Sequence, residues 1–331
     1  MLLSIAPVLL SQERLIRGLH QLVAYLHSNG VTAFNEPGIV WEMEPWDPYQ
    51  SILGADDVPF LSIFANHVKL FADGTIISQL MQMRDGYLGL DVVLDAIEAC
   101  MISNPRADHR SVVVHFATST EEQVDRIARL GAIVSANPYY PCGFADKYAE
   151  HGLGPERADT MVRARSVLDR HLPLSFHSDL PMAPAEPLKL AWCAVNRRTQ
   201  SGRVAGPEQC ISVDAALRAV TVEAAYSWRR EHDLGSIAPG KRVTFTVLAA
   251  DPYDIDPNDL DRIRVLGTVF EGQWHPVPDR GGAGAVHEGI ATLPGHISAG
   301  TLAHPENREQ HGCCCEAARR LADAFRRSPG R

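Results

Sequence analysis

Apolar residues recur along the first two thirds of the chain in two alternating patterns. Between Ser11 and Ser28 they fall at helical spacing, and Asn29-Gly30 follows as a pair that ends a helix. Beyond this helix, short apolar runs alternate with further helical stretches, and several runs end in polar or Gly-containing loops. A helix, a glycine, a buried strand and a polar loop in this order are typical of a parallel α/β sheet.

This alternation predicts six strands of a parallel sheet, where a closed barrel has eight. The strands are expected at residues 31–34, 60–64, 68–71, 112–116, 133–138 and in the run that leads into His177. Helices are expected over residues 90–101, 118–130, 158–170, 187–198 and 213–230. Only Ala65, Asn66 and His67 separate the second strand from the third, whereas parallel neighbours need a crossover of about a dozen residues. The two segments are therefore either one kinked strand or the ends of a unit without its connecting helix.

The pattern changes after residue 232. The run Gly235-Ser236-Ile237-Ala238-Pro239-Gly240-Lys241 predicts a turn, and strands are expected at 244–248 and 265–270. These elements form a small β unit over residues 233–276. The segment beyond it is rich in Gly and His and has weak periodicity, which predicts a low-complexity, disordered tail over residues 277–331.

Composition excludes several classes of function. The 331 residues are 45% hydrophobic, enough for one barrel-sized domain and a smaller one. The net charge of −9 argues against a nucleic-acid partner, because phosphate-backbone binding needs a basic face. The seven cysteines show no spacing of a disulfide framework, so we expect a reducing, cytoplasmic location. No signal peptide is expected, and no apolar run approaches the roughly 18 residues of a membrane span.

The stretch from Pro173 to Pro181 carries the strongest chemical signal. A short apolar run leads into His177 and Asp179, and Pro181 with Pro184 ends any strand. Side chains alternate along a strand, so both residues are predicted to face the same side at its C-terminal end. Catalytic groups collect at that end in a parallel barrel. The alternative interpretation is that Asp179 caps the following turn and His177 is a surface polar residue.

Four stretches in this order resemble the amidohydrolase superfamily, in its YtcJ-like, N-substituted formamide deformylase-like branch. They are Val68–Gly74, the strand ending in His115, Ser178-Asp179 with its Pro-rich turn, and Gly235–Lys241. The likeness extends over roughly residues 11–276, and it is the combination of the four that is specific. It implies an incomplete (β/α)8 barrel of the TIM type over residues 11–232, belonging to a metal-dependent hydrolase. Residues 233–276 are then the remnant of a small β-sandwich.

The resemblance also implies a chemistry and a set of site residues. The expected reaction is hydrolysis of carbon–nitrogen bonds, other than peptide bonds, in small amides, formamides or cyclic ureides. Lys69, His115 and Asp179 correspond to metal ligands, and Asp179 is also the catalytic base. His177 and Asp73 are expected to contact the small-molecule substrate. The implied cofactor is a divalent metal ion, Zn²⁺, which suits imidazole and carboxylate ligands and lowers the pKa of its bound water to near 7. Asp179 would take the proton of that water and pass it to the leaving nitrogen.

The chain departs from the family pattern at three ligand positions. It contains no His-x-His pair, and the fifth-strand His followed by Gly-Asp is also missing. We therefore expect a family member without its N-terminal portion and without at least one internal βα unit. Unpaired strand edges beside the gaps favour either a rearranged open sheet or a homo-oligomer formed through those edges. The alternative function is a catalytically inactive amidohydrolase remnant that serves as a binding or assembly module.

Overall fold

The described part of the chain is an α/β structure. A computed structural model describes residues 11–36, 46–64 and 88–278. The predicted third strand, Lys69, Asp73 and all of the predicted tail beyond Pro278 lie outside these residues. The helices and strands are, in chain order, α1 (Gln12–Ser28), β1 (Ala33–Glu36), α2 (Trp46–Leu53), β2 (Leu61–Phe64), α3 (Leu88–Ser103), β3 (Val112–His115), α4 (Glu121–Leu130), β4 (Ile133–Ala136), α5 (Tyr139–Glu150), α6 (Pro155–Asp159), α7 (Ala164–Asp169), β5 (Leu174–Phe176), α8 (Pro187–Asn196), α9 (Val213–Ala219), α10 (Val222–Ser227), β6 (Phe245–Leu248), β7 (Val265–Phe270) and β8 (Gln273–Pro276). Two 3₁₀ turns, Pro207–Gln209 and Pro257–Arg262, follow α8 and β6.

Five of the described strands pair in parallel, as the alternating pattern predicts. β1 pairs with β2, and β4 lies between β3 and β5 in a second sheet. Within the described ranges these are separate sheets of two and three strands, so closure into a barrel is not seen there. The parallel register brings the C-terminal ends of β3, β4 and β5 to one edge of their sheet.

The middle strand of this sheet and the helix before it contribute to the core. Val134 and Ala136 of β4 and Val124 and Ile127 of α4 are almost completely buried. The sequence predicted where α4 begins and ends. The Thr120 side chain and Gln123 form a reciprocal capping box, and Gly131 ends the helix in the left-handed conformation at φ 68°.

The second part of the chain forms an antiparallel sheet in the order β6-β7-β8. The hydroxyl of Thr246 donates a hydrogen bond of 2.6 Å to the carbonyl oxygen of Gly30, directly after α1. A ring nitrogen of His27 lies 3.2 Å from the carbonyl oxygen of His275. A three-stranded antiparallel sheet thus lies in the segment where the sandwich remnant is predicted, and it is hydrogen-bonded to the end of the first helix.

The prediction of one helix over residues 158–170 is wrong. The chain forms α6 and α7 with an irregular break between them, in which Val162 adopts a left-handed φ of 52°. The guanidinium of Arg197 is buried and donates to the carbonyl oxygens of Asp159, Met161 and Val162 at 2.7–3.0 Å. These carbonyl groups are held by a distant side chain, which the helical periodicity of the segment does not reveal.

Two further boundaries differ from the sequence prediction. The segment 213–230 divides at Thr221 into α9 and α10, because Thr221 has a non-helical backbone conformation with φ −129° and ψ −88°. The first strand begins at Ala33 rather than Val31, because the Val31 N–H still donates to the Leu26 carbonyl at the end of α1. Within the described ranges, none of the helices combines the length and the apolar character required to cross a lipid bilayer.

We expect Gly235→Ala to destabilise the protein more than Gly240→Ala, although both glycines have similar left-handed φ angles of 83° and 87°. A Cβ at Gly235 would lie 2.7 Å from the Cβ of Ala225 and 3.0 Å from the Thr221 carbonyl oxygen, whereas Gly240 has open space around it. Backbone strain costs about 1 kcal/mol in each variant, and overpacking adds about 1–3 kcal/mol at Gly235 only. Urea unfolding measures the difference, and equal midpoints would show that the close packing at Gly235 has no energetic weight.

Candidate functional site

The candidate site lies where β3 and β5 end. His115 is the last residue of β3, and His177 follows β5 directly. The backbone turns sharply after both strands, because His115, Phe116 and Asp179 all have positive φ angles of 69°, 50° and 55°. Non-glycine residues in this conformation are strained, and such residues cluster at active sites and ligand clamps.

Three of the sequence-predicted site residues meet at this edge. The Nδ1 atom of His115 lies 2.9 Å from Nε2 of His177, a hydrogen-bonding distance. The same Nδ1 lies 4.0 Å from Oδ2 of Asp179. The side chain of Asp179 is 42% exposed and that of His115 is 28% exposed, so the carboxylate is the more accessible group. The cluster therefore combines two imidazoles with a carboxylate that faces solvent.

The strand alternation that predicted this convergence is not its cause. β5 ends at Phe176, and the left-handed Asp179 lies in the turn beyond it. His177 still extends the ladder, because its N–H donates to the Ala136 carbonyl of β4. The turn, rather than the alternation of side chains along a strand, brings Asp179 towards His115.

Two hydroxyl groups extend the cluster. The Ser135 hydroxyl lies 2.9 Å from Nδ1 of His177, and the Tyr140 hydroxyl lies 3.3 Å from Nδ1 of His115. Burial and the nearby Asp179 carboxylate raise the pKa of Tyr140, so its hydroxyl keeps its proton at neutral pH. One set of protons consistent with these distances has His177 Nε2 donating to His115 Nδ1 and His177 Nδ1 accepting from the Ser135 hydroxyl.

Asn137 is hydrogen-bonded to both sharp turns, the one after β3 and the one after β5. Its side chain is fully buried, and its Nδ2 donates to the Ser178 carbonyl at 2.9 Å. Its backbone N–H donates to the carbonyl oxygen of His115 at 3.2 Å. Its Oδ1 accepts from the N–H of Tyr139 at 3.1 Å, which fixes the start of α5. One residue after β4 thus contacts the chain on both sides of the site.

The donor types in the cluster suit a divalent metal ion, but the described residues do not complete a site for one. Imidazole nitrogens and a carboxylate are ligands that Zn²⁺ takes. Among residues 11–36, 46–64 and 88–278, however, no group of three His, Cys, Asp or Glu side chains could hold a metal ion. Further ligands would have to lie elsewhere, and the predicted ligand Lys69 is outside these residues.

Sequence reasoning missed Ser135, Asn137 and Tyr140 as members of the site. Asn137 was visible as an Asn-Pro turn signal after a strand, at the edge where strand ends meet. No helix was predicted over residues 139–150, where α5 forms and carries Tyr140. α5 accommodates Pro141 in its first turn, where a missing N–H is tolerated.

The comparison with known protein families identifies one match. The model of the amidohydrolase family matches residues 62–274, well over half of the chain. The matched range includes β3, β4 and β5 and continues through the antiparallel sheet.

Two curated relatives match a shorter part. An N-substituted formamide deformylase of Arthrobacter pascens is 32% identical over 187 residues, which cover 56% of this chain and 34% of the relative. YtcJ of Bacillus subtilis (strain 168), named as an amidohydrolase, is 29% identical over 191 residues, which cover 57% of this chain and 35% of the relative. The chain therefore matches about a third of the length of these relatives.

A solved structure supports the same fold. An uncharacterized metal-dependent hydrolase from Pyrococcus horikoshii OT3 superimposes with a TM-score of 0.56 at 18% sequence identity. The superposition covers 80% of this chain and 62% of that protein. At this identity the likeness concerns the fold alone.

Proposed function

Because this chain belongs to the amidohydrolase family, in its YtcJ-like branch, we propose that it hydrolyses carbon–nitrogen bonds other than peptide bonds. The proposed substrates are small amides, formamides or cyclic ureides, and the proposed cofactor is a divalent metal ion, Zn²⁺. The observation that carries this proposal is the convergence of His115, His177 and Asp179 at the C-terminal edge of the β3-β4-β5 sheet. The name of the Arthrobacter relative supports formamides within this range.

Asp179 has the position and exposure that a general base requires. Its carboxylate is accessible to a water molecule, and it lies within reach of His115. In the proposed reaction Asp179 takes a proton from water as the oxygen attacks the carbonyl carbon. The carbon–nitrogen bond then breaks, and Asp179 returns the proton to the leaving nitrogen. His177 and Asp73 are proposed to contact the substrate.

A divalent metal ion would supply a more acidic water and would polarise the substrate carbonyl. We propose Lys69, His115 and Asp179 as its ligands in this chain. Since the described residues alone do not form a three-ligand group, we expect weak binding. The steps that we assign to the described residues themselves are proton transfers. The groups that can take part in them are Asp179, the two imidazoles and Tyr140.

The second candidate function is that of a catalytically inactive remnant acting as a binding or assembly module. The contact between His115 Nδ1 and His177 Nε2 favours it, because these two nitrogens face each other at 2.9 Å, whereas a nitrogen that binds a metal ion points its lone pair at the ion. In this case the cluster ties β3 to β5 and has a structural role.

Metal content and hydrolysis together distinguish the two functions. We expect the full chain, purified without chelators, to bind Zn²⁺ and to hydrolyse at least one member of a panel of N-substituted formamides, simple amides and cyclic ureides. His115→Ala should reduce metal affinity by about tenfold or more, and activity with it, because it removes an imidazole of the cluster. Metal analysis by mass spectrometry and amine-release assays measure both quantities.

His232→Ala is the matched control, because the side chain of His232 is 71% exposed and lies outside the cluster. It should leave metal content and hydrolysis unchanged. The remnant function is correct if the parent protein carries no stoichiometric metal, hydrolyses nothing in the panel, and behaves like His115→Ala in both assays.

A further inference from the structure

The two turns that carry the candidate catalytic side chains both contain a non-glycine residue in the left-handed backbone conformation. Phe116, next to His115, has a φ of 50°, and Asp179 has a φ of 55°. A non-glycine residue in this region is strained and persists only where its surroundings hold it. The turns therefore need contacts that fix their peptide groups.

Asn137 makes one such contact with each turn. The φ angle of a residue describes rotation relative to the peptide group before it. The carbonyl of His115 belongs to the peptide group before Phe116, and the carbonyl of Ser178 belongs to the one before Asp179. Asn137 donates to both carbonyls, through its backbone N–H at 3.2 Å and its Nδ2 at 2.9 Å.

We propose that Asn137 is a positioning residue of the active site, which sets the distance between His115 and Asp179 by holding the peptide groups before both left-handed turns. The proposal extends the proposed hydrolase function and relies on it only for the kinetic consequence. Asn137 itself is fully buried and touches no substrate. It acts through the backbone that orients the two side chains.

The chemistry of the amide explains the choice of residue. Asn137 uses its carbonyl oxygen to accept from the Tyr139 N–H and its amide to donate to Ser178. An aspartate keeps the acceptor but places a negative oxygen against the Ser178 carbonyl. A serine keeps a short acceptor for Tyr139, as turn and cap serines do, but loses the donor that reaches Ser178.

The test compares Asn137→Asp and Asn137→Ser with the parent full-length chain by hydrogen exchange and steady-state kinetics. The Met182 amide reports on the turn, because it donates to the Asp179 carbonyl at 2.7 Å. Its exchange should accelerate by about fivefold, which corresponds to roughly 1 kcal/mol, the typical contribution of one hydrogen bond. The exchange of α4 amides should not change. If the parent chain hydrolyses a substrate at a measurable rate, kcat of the variants should be about 10- to 100-fold lower with KM nearly constant. The reason is that misplaced catalytic groups affect the transition state most.

Asn196→Asp is the matched control. The Asn196 amide also donates to a carbonyl, that of Pro257 at 2.9 Å, but it lies on α8 outside the cluster. It should leave Met182 exchange and kcat as in the parent.

The proposal is overturned if Met182 exchange is unchanged in folded Asn137 variants, or if exchange rises equally throughout the protein. If Asn137→Asp does not fold, Asn137→Ser decides. If the Asn137 variants show the local exchange effect but the parent chain hydrolyses nothing, the positioning role is supported and the hydrolase function is rejected.

Discussion

Asp179→Asn is expected to reduce hydrolysis by about 10²- to 10⁴-fold, the usual contribution of a general acid–base. The amide has nearly the same shape as the carboxylate but cannot accept a proton from water at neutral pH. Because Asp179 lies 4.0 Å from His115 and is 42% exposed, its replacement leaves the hydrogen bond between the two histidines in place. The expected result is a protein that largely keeps its metal, because a weak ligand can be substituted, and that has almost no turnover, as measured by metal analysis and amine release.

Asp169→Asn provides the control for a surface carboxylate. Asp169 pairs with Arg165 at 2.6 Å on α7, and both side chains are exposed. This variant should retain full activity, because exposed ion pairs contribute little to stability. Equal turnover in Asp179→Asn and the parent would remove Asp179 from the reaction. Loss of metal together with turnover would indicate that Asp179 acts mainly as a ligand.

Arg197→Met is expected to lower the free energy of unfolding by about 3–5 kcal/mol. The guanidinium is buried and donates to four carbonyl oxygens, those of Asp159, Met161, Val162 and Ala205, at 2.6–3.0 Å. Methionine fills similar space but offers no donor. The carbonyl groups lose their charged donor, although that of Val162 also accepts from the Ala164 N–H at 2.8 Å. The loss is therefore large, even though burial disfavours the charge and lowers the pKa of Arg197.

Arg198→Met is the adjacent control. Arg198 is exposed and makes longer hydrogen bonds, at 3.2–3.3 Å, to Asn258 and the Gly202 carbonyl. Its replacement should change stability by no more than about 0.5 kcal/mol. Urea unfolding of the two variants measures the difference. Similar midpoints would show that the break between α6 and α7 does not depend on Arg197.

Local signals in the sequence were sufficient for those elements whose boundaries are set by neighbouring residues. α4 begins at a capping box and ends at Gly131, and both features are readable within a few residues. The break between α6 and α7 depends instead on Arg197, about 35 residues further along the chain. Long-range contacts of this kind leave no periodic trace, so the pattern predicted a continuous helix.

In the candidate site, too, some residues could be predicted from local signals, whereas others depend on long-range contacts. His115, His177 and Asp179 could be selected because each follows an apolar run and because strand ends meet at one edge of a parallel sheet. The contributions of Ser135, Asn137 and Tyr140 depend on hydrogen bonds across 25 to 42 positions in the sequence. The left-handed turns that aim Asp179 towards His115 also could not be predicted, since neither contains the glycine that favours this conformation.

The hydrogen bond between Thr246 and Gly30 has a consequence for the order in which the chain folds. It joins residues 216 positions apart, whereas those between Tyr140 and His115 and between His177 and His115 span 25 and 62 positions. The entropy lost on loop closure grows with the length of the loop, and synthesis delivers Gly30 long before Thr246. The β3-β4-β5 sheet and its histidine pair can therefore form on the ribosome, whereas the contact between the end of α1 and β6 can form only after β6 has been synthesised. A ribosome-stalled chain ending near residue 240 should already protect β4 amides from exchange.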